Sequence, residues 1–325
     1  MMRRPSLLLL LSLSLFCTPA SGEWVRSEAA IMGTNINVEL WHEDEECGEE
    51  AAAAVIEEMH RIDRLMSTYK PESELSRINR DAAISPVAAG YELVGLIQDA
   101  LALSELTEGA FDITYASVGY MYDYRQRRRP DVAEIDEKLP AVDYRHVVVN
   151  PQAGTISFKA TGVRIDLGGI AKGYAVERGV EILRARGVQH AIVTAGGDSR
   201  ILGDRRGRPW VVGVRDPRNR GKIVARIPLV DEAISTSGDY ERYFEEDGVR
   251  YHHIINPSTG QSAGAVRSVT IVGPEATRTD GLSTSVFVLG VHAGMELVNR
   301  LADVEAVIVD KDGQLFYSSG FETGT

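Results

Sequence analysis

Apolar and polar positions alternate from residue 31 to residue 40, with Ile36, Val38 and Leu40 on one side as a half-buried strand requires; Met32, Gly33 and Thr34 introduce it. The repeat then lengthens to that of a helix. Val55, Met59, Ile62 and Met66 fall on one face, which predicts a core-facing helix stopped before Pro71. Residues 73–79 predict a short polar turn or helix. Leu93, Val94, Ile97 and Leu101 mark a second amphipathic helix, which runs into the small-residue stretch Gly109, Ala110, Phe111, Asp112. Residues 156–159 and 163–167 predict a hairpin around Thr161 and Gly162. Paired glycines follow, then a helix with Val176, Val180 and Leu183 on its apolar face, ending near Gly187. Beyond it the pattern predicts a buried strand at 191–193, paired strands at 210–214 and 223–227, and a hydroxyl-rich turn at 234–240. A strand then carries His253 into an Asn256-Pro257 turn, a helix runs from Thr279 to near Gly290, and a hairpin at 306–309 and 315–317 closes the chain. Strands and helices interleave with no repeat, linker or composition break, which points to one α+β unit with mixed sheets flanked by helices.

Candidate chemistry centres on the stretch from Ile165 to Ala175, where a half-apolar strand runs through Gly168 and Gly169 into a helix N-terminus, with Asp166 and Lys172 on either side of the turn. Glycine lets a backbone approach a ligand closely, and the first N–H groups of a helix have no partner inside it, so such an element can hold an anion such as a phosphate. A glycine turn that simply starts a core helix fits the same spacing. The phosphate-loop pattern is excluded because Tyr174 follows Gly173, and the dinucleotide-fold glycine spacing is absent. Asp280 and Thr284 are four apart, so on a helix they share a face where a carboxylate and a hydroxyl could bind a hard cation; equally, Asp280 could cap the helix while Thr284 packs. Phe111 beside Asp112 suits a flavin or purine contact. Tyr69 suits stacking on an aromatic ligand or plain exposure in a loop. His253 stands before a turn that would fix its position, and His252 should face the other way.

With 325 residues, 44% hydrophobic and 25% charged, the chain can bury a large core, which excludes disorder as its default. Its formal net charge of −12 argues against nucleic acid as a partner and requires local cations or a metal beside any phosphate ligand. Arg125, Arg127, Arg128 and Arg129 read as a solvated loop. At the N-terminus, Arg3 and Arg4, an apolar run at 7–16 broken by Ser12 and Ser14, and small residues from Ala20 to Gly22 read as an export signal over residues 1–22. Its removal makes the charge more negative still. Cys17 follows Phe16, where a lipid-attachment signal wants a small residue, so ordinary cleavage near Gly22 is favoured over lipid anchoring. The chain from residue 23 then keeps only Cys47, in an acidic stretch that raises a thiol pKa, which reads as a structural thiol with no internal disulfide.

In chain order, Met32-Gly33-Thr34, Gly109 to Thr114, Asp166 to Ala175, Ala195 to Asp198, Ser235 to Tyr240, His253 to Gly260 and Asp280 to Thr284 resemble the FAD:protein FMN transferase family, also called the ApbE family. The resemblance implies one ApbE-like domain over residues 23–325 with a flavin-nucleotide cleft between sheet and helices, in an exported, periplasmic bacterial protein. It implies transfer of the FMN moiety of FAD to a Thr or Ser hydroxyl of a target protein, with release of AMP and dependence on Mg2+. FAD would lie against Met32, Tyr69, Ala110, Phe111, Asp112, Asp166, Lys172 and His253. Mg2+ would sit on the backbone carbonyl of Ala171 and the side chains of Asp280 and Thr284. His253 is the candidate general base and Asp280 the alternative. Any membrane association would come through the target. Two other functions use the same residues: an Mg2+-dependent FAD pyrophosphatase with water as acceptor, giving FMN and AMP, and a non-catalytic periplasmic flavin-binding protein.

Overall fold

Eight strands share one sheet and lie side by side in the order in which the chain makes them: β1 (Glu23–Ile31), β2 (Thr34–His42), β3 (His190–Ala195), β4 (Asp198–Leu202), β5 (Ala233–Gly238), β6 (Val266–Gly273), β7 (Glu305–Asp310) and β8 (Leu315–Tyr317). The computed structural model describes residues 22–219 and 221–321; apart from Gly22, the expected export signal, Cys17 included, lies outside them. Every pairing in the sheet is antiparallel, where mixed sheets are expected. Short turns explain the simplest joins. Ile31 pairs with Thr34, so Met32 (φ +56°) and Gly33 (φ +70°) form a two-residue hairpin loop, and the strand expected from residue 31 is the second arm of a hairpin. Gly196 and Gly197 do the same between β3 and β4, which pair Ala195 with Asp198.

Among the described residues five helices of eight residues or more, α1 (Glu45–Met66), α2 (Glu74–Asp81), α3 (Tyr91–Leu106), α4 (Ala171–Ala185) and α5 (Ala276–Asn299), accompany the sheet. The α1 N-terminus is capped by Asp44, whose carboxylate accepts the Cys47 N–H at 2.9 Å. Its predicted apolar face, Val55, Met59, Ile62 and Met66, is buried in the main core with Ile36, Val38 and Leu40 from β2 and Val193 from β3. Burying one such side chain contributes roughly 1.5–3 kcal/mol, so this face alone fixes helix against sheet. The other sheet face is covered by a hairpin (Trp210–Arg215 with Ile223–Leu229) that packs Trp210, Ile227 and Leu229 onto Ile201, Ile234 and Val272. A left-handed Gly290 (φ +79°) breaks α5 within its length.

Three expectations fail for identifiable reasons. Residues 163–167 form no hairpin with 156–159; strand Thr155–Phe158 pairs instead with Val147–Asn150 and Val87–Ala88. Side chains take the place of a partner strand at 164–165: Asn79 accepts the Ile165 N–H at 2.7 Å and donates to the Ile165 carbonyl at 2.8 Å, while Ser117 accepts the Arg164 N–H at 2.9 Å; the Asp166 N–H goes to the Ile113 carbonyl at 3.0 Å. The hydroxyl-rich stretch expected as a turn is β5, in the middle of the sheet between β4 and β6. Cys47 is exposed rather than structural, and its hydrogen bond to Asp44 raises its pKa.

Candidate active site

The closest approach in the molecule that bears on chemistry is between the start of α4 and the start of α5. A Cβ on Gly173 would lie 2.2 Å from the Ala276 carbonyl oxygen and 2.6 Å from the Asp280 Cβ, so only glycine fits the crossing. Through this contact Asp280 accepts the Gly173 N–H at 2.9 Å, and Glu177 accepts the Ala276 N–H at 2.7 Å. Each helix therefore caps the first turn of the other. Ile170, just before α4, has no side-chain oxygen to offer, and Asp280 supplies it from a neighbouring element. Asp280 lies inside α5 and caps α4 rather than its own helix. The Ala171 N–H bonds to the Leu167 carbonyl at 2.8 Å, so the α4 N-terminus expected to be open to an anion is already partly satisfied.

Lys172 extends from the same turn between two buried carboxylates. Its ammonium donates to Asp198, the first residue of β4, and lies 3.2 Å and 3.4 Å from the two Asp280 oxygens. Burial pulls the ammonium pKa down, but the Asp198 and Asp280 charges outweigh it and the net shift is upward. Burial, with the Asp280 charge beside it, pushes the Asp198 carboxyl above the usual carboxylate range, against the pull of Lys172 and a hydrogen bond from Ser235. The hydroxyls of β5 face α5: Ser235 meets Thr279 at 2.9 Å, and Ser237 meets Ser283 at 2.8 Å and Thr284 at 3.3 Å. A Cβ on Gly169 would lie 3.2 Å from the Phe111 ring and 3.4 Å from Thr284 Oγ1, so the glycine turn runs against both. Thus Phe111, Gly169, Lys172, Asp280 and Thr284 come together. Asp198 joins them without having been counted among the site residues; its sequence signals are the glycine pair before it and its place at the end of the Ala195 to Asp198 stretch.

The remaining candidates lie at known places around this cluster. Asp166 is oriented by three donors, Thr68 Oγ1 at 2.9 Å, the Tyr115 hydroxyl at 3.1 Å and the Gly168 N–H at 2.7 Å. Asp112 is buried and caps a short turn, accepting from the Thr114 N–H (2.7 Å), the Thr114 hydroxyl (2.6 Å) and the Tyr144 N–H (2.8 Å), so its carboxylate acts on the fold. Ala110 is half-buried beside the buried Phe111. Tyr69 is 87% exposed and follows Thr68, whose hydroxyl donates to Asp166, which sets it on the rim beside that carboxylate. His253 follows the strand Val249–His252 and donates its N–H to the Arg242 carbonyl at 3.1 Å; the Arg242 guanidinium in turn reaches the Gly33 carbonyl at 3.4 Å, beside Met32. The His253 ring holds a buried Nδ1 with no hydrogen-bond partner. Burial, then the charges of Arg242, His252 and Lys172, lower its pKa to about 3, so the ring is neutral. His252 does turn the other way, its Nε2 lying 2.6 Å from the Ala263 carbonyl.

The donors expected for a metal are all hard oxygens, a carboxylate and a hydroxyl one helical turn apart with the glycine turn against both, which fits a small divalent cation that takes few protein ligands. Fold and site together define a class: single-unit α+β proteins in which one helix N-terminus meets the acid-hydroxyl face of another beside an antiparallel sheet. Within that class the chain belongs to the ApbE family, whose sequence profile matches residues 32–308. It is 32% identical over 310 residues to a curated FAD:protein FMN transferase of Vibrio cholerae, covering 92% of each chain. It is 33% identical over 289 residues to that of Treponema pallidum, covering 82% of this chain and 80% of that one. A crystal structure of the ApbE protein of Thermotoga maritima superposes with a TM-score of 0.85 at 37% identity, over 91% of this chain and 97% of that one. The flavin transferase ApbE of Vibrio cholerae gives 0.82 at 29% identity, over 94% and 100%.

Proposed function

We propose that this chain is an FAD:protein FMN transferase that moves the FMN moiety of FAD onto a Thr or Ser hydroxyl of a target protein and releases AMP. The observation that carries the reading is the convergence of Lys172, Asp280, Thr284 and Phe111 on one glycine turn, in a member of a family whose curated relatives bear that name. The FAD pyrophosphate lies along the turn from Gly168 to Gly173, where Lys172 offers it a cation. Phe111 and the Asp166 network border the flavin side, with Met32, Tyr69 and Ala110 around it and Asp112 bracing the loop that carries Phe111. Asp280, Thr284 and the Ala171 carbonyl would hold Mg2+, which would supply charge neutralisation at the pyrophosphate and so favour AMP as leaving group.

In the transfer step the acceptor oxygen bonds to the FMN-side phosphorus, the bond to the AMP oxygen breaks, and the hydroxyl proton goes to a base. His253 is that base. Its ring is neutral with one nitrogen unpartnered, whereas Asp280 is already engaged by Gly173 and Lys172. An anion on Lys172 cancels one of the charges that hold the ring pKa down. The protein is exported to the periplasm through residues 1–22, which N-terminal sequencing of the cell-derived protein checks directly.

The test is mass spectrometry after incubation with FAD, Mg2+ and a small protein carrying an acceptor Thr. Wild type should add one FMN to that Thr, His253→Ala should bind FAD without transferring, and Asp280→Ala should lose transfer. Free FMN and AMP beside an unmodified acceptor would make the protein a pyrophosphatase, and intact bound FAD would make it a carrier. Transfer near the wild-type rate in His253→Ala would remove His253 from the base role.

A further inference from the structure

The site supplies its own ions. A carboxylate, Asp280, occupies the α4 N-terminus where an anion would bind, and an ammonium, Lys172, occupies that carboxylate where a cation would bind. We propose that Lys172 is a resident cation on Asp280 that yields only to an anionic ligand at the glycine turn, so that the FAD pyrophosphate and the divalent cation load cooperatively. This rests on the reading above that places the pyrophosphate along that turn and the cation on Asp280 and Thr284.

The geometry makes the two Lys172 contacts unequal. Its closer bond is to Asp198, which is fully buried and belongs to the sheet, and its longer ones, at 3.2 and 3.4 Å, are to Asp280. Asp198 is the tether and Asp280 the releasable partner. Asp280 Oδ2 is also held by the Gly173 N–H, which leaves Oδ1 as the freer oxygen, and that is the one Lys172 approaches more closely. A divalent cation arriving alone would share this oxygen with an ammonium in a site largely shielded from water, where like charges repel strongly. A pyrophosphate removes the conflict by giving Lys172 a new partner without taking it off Asp198. Because linkage is reciprocal, the cation must then raise FAD affinity by the factor by which FAD raises cation affinity.

The experiment measures Mn2+ binding from the electron paramagnetic resonance signal of the free ion, with and without FAD, in wild type, Lys172→Met and Lys172→Gln. In wild type FAD should tighten Mn2+ binding by about tenfold or more, within the usual range of coupling between sites. In both variants Mn2+ should bind more tightly without FAD than it does to wild type, and the factor contributed by FAD should shrink. Gln keeps a hydrogen-bond donor for Asp198, so it answers the question should the Met variant not fold. Loss of a positive charge by itself would tighten Mn2+ binding equally with and without FAD; an undiminished FAD factor therefore overturns the proposal while leaving the functional reading intact. Mn2+ that binds no form even with FAD overturns the proposal together with the metal assignment beneath it, and FAD that binds no form overturns the reading of the site itself.

Discussion

His253 shows how a residue can be named from sequence while its state cannot. Its position before the Asn256-Pro257 turn is legible, but burial, which does most to keep the ring neutral, and the charges of Arg242 and Lys172, which come from separate stretches of chain, are not; only His252 beside it is. The folded pKa, about 3, lies below the unfolded value near 6.5. As pH falls the unfolded chain therefore takes up this proton first, so the stability His253 contributes is present above about pH 6.5 and is lost on the way down to about pH 3. Between pH 7 and pH 4.5 wild type should lose about 2 kcal/mol more than His253→Gln, read from urea midpoints at each pH. Parallel pH slopes in the two proteins would mean that the surroundings do not hold the ring neutral. Asp112 carries the opposite lesson, since a carboxylate beside an aromatic in a loop suggested ligand contact and its oxygens bond to the protein's own backbone and Thr114.

At the scale of elements, periodicity revealed what buries one face and missed what is held edge-on. The stripe of α1, the apolar faces of α3 and α4 and the closing hairpin were legible because burial determines them. Residues 163–167 have the apolar alternation of a strand, yet Asn79 and Ser117 take the place of its neighbour, and no local pattern announces that. The serines of β5 look like turn chemistry until β4 and α5 are placed against them. Asp198 was legible as the end of a motif stretch but not as a site residue for a related reason, because its partners Lys172 and Ser235 lie on other elements. The mutual capping of α4 and α5 depends on Gly173, and Gly173→Ala sets a methyl 2.2 Å from a backbone oxygen that cannot rotate aside. The helices must part, which should cost about 1–3 kcal/mol or more and weaken FAD binding. Gly95→Ala in α3, where nothing beyond the helix's own neighbouring backbone lies within 4 Å of the new methyl, should instead stabilise by about 0.5–1 kcal/mol and leave FAD binding unchanged. Urea midpoints and FAD titrations of the two variants separate helix crossing from simple helix propensity, and equal effects would refute the close-packing account.

For the whole molecule the decisive fact is that the sheet begins with the first described strand and ends with the last, while one core cluster draws residues from Val25 to Ile308. Among the described residues no segment between them has a core of comparable size, so the site on one face of the sheet and the hairpin on the other should melt together. The tryptophans make this testable. Trp24 packs edge-on against Trp210 at 5.4 Å with Arg205 over both rings, and Trp41 pairs with Trp24 across β1 and β2, so all three report the face away from Lys172 and Asp280. Tryptophan fluorescence and far-ultraviolet circular dichroism should give the same urea midpoint. FAD with a divalent cation, at a hundred times its dissociation constant, should then raise both stabilities by about 2.7 kcal/mol, although no tryptophan touches the ligand. A ligand shift seen by circular dichroism but not by fluorescence would show that the outer hairpin unfolds on its own and that the sheet does not bind its two faces into one unit.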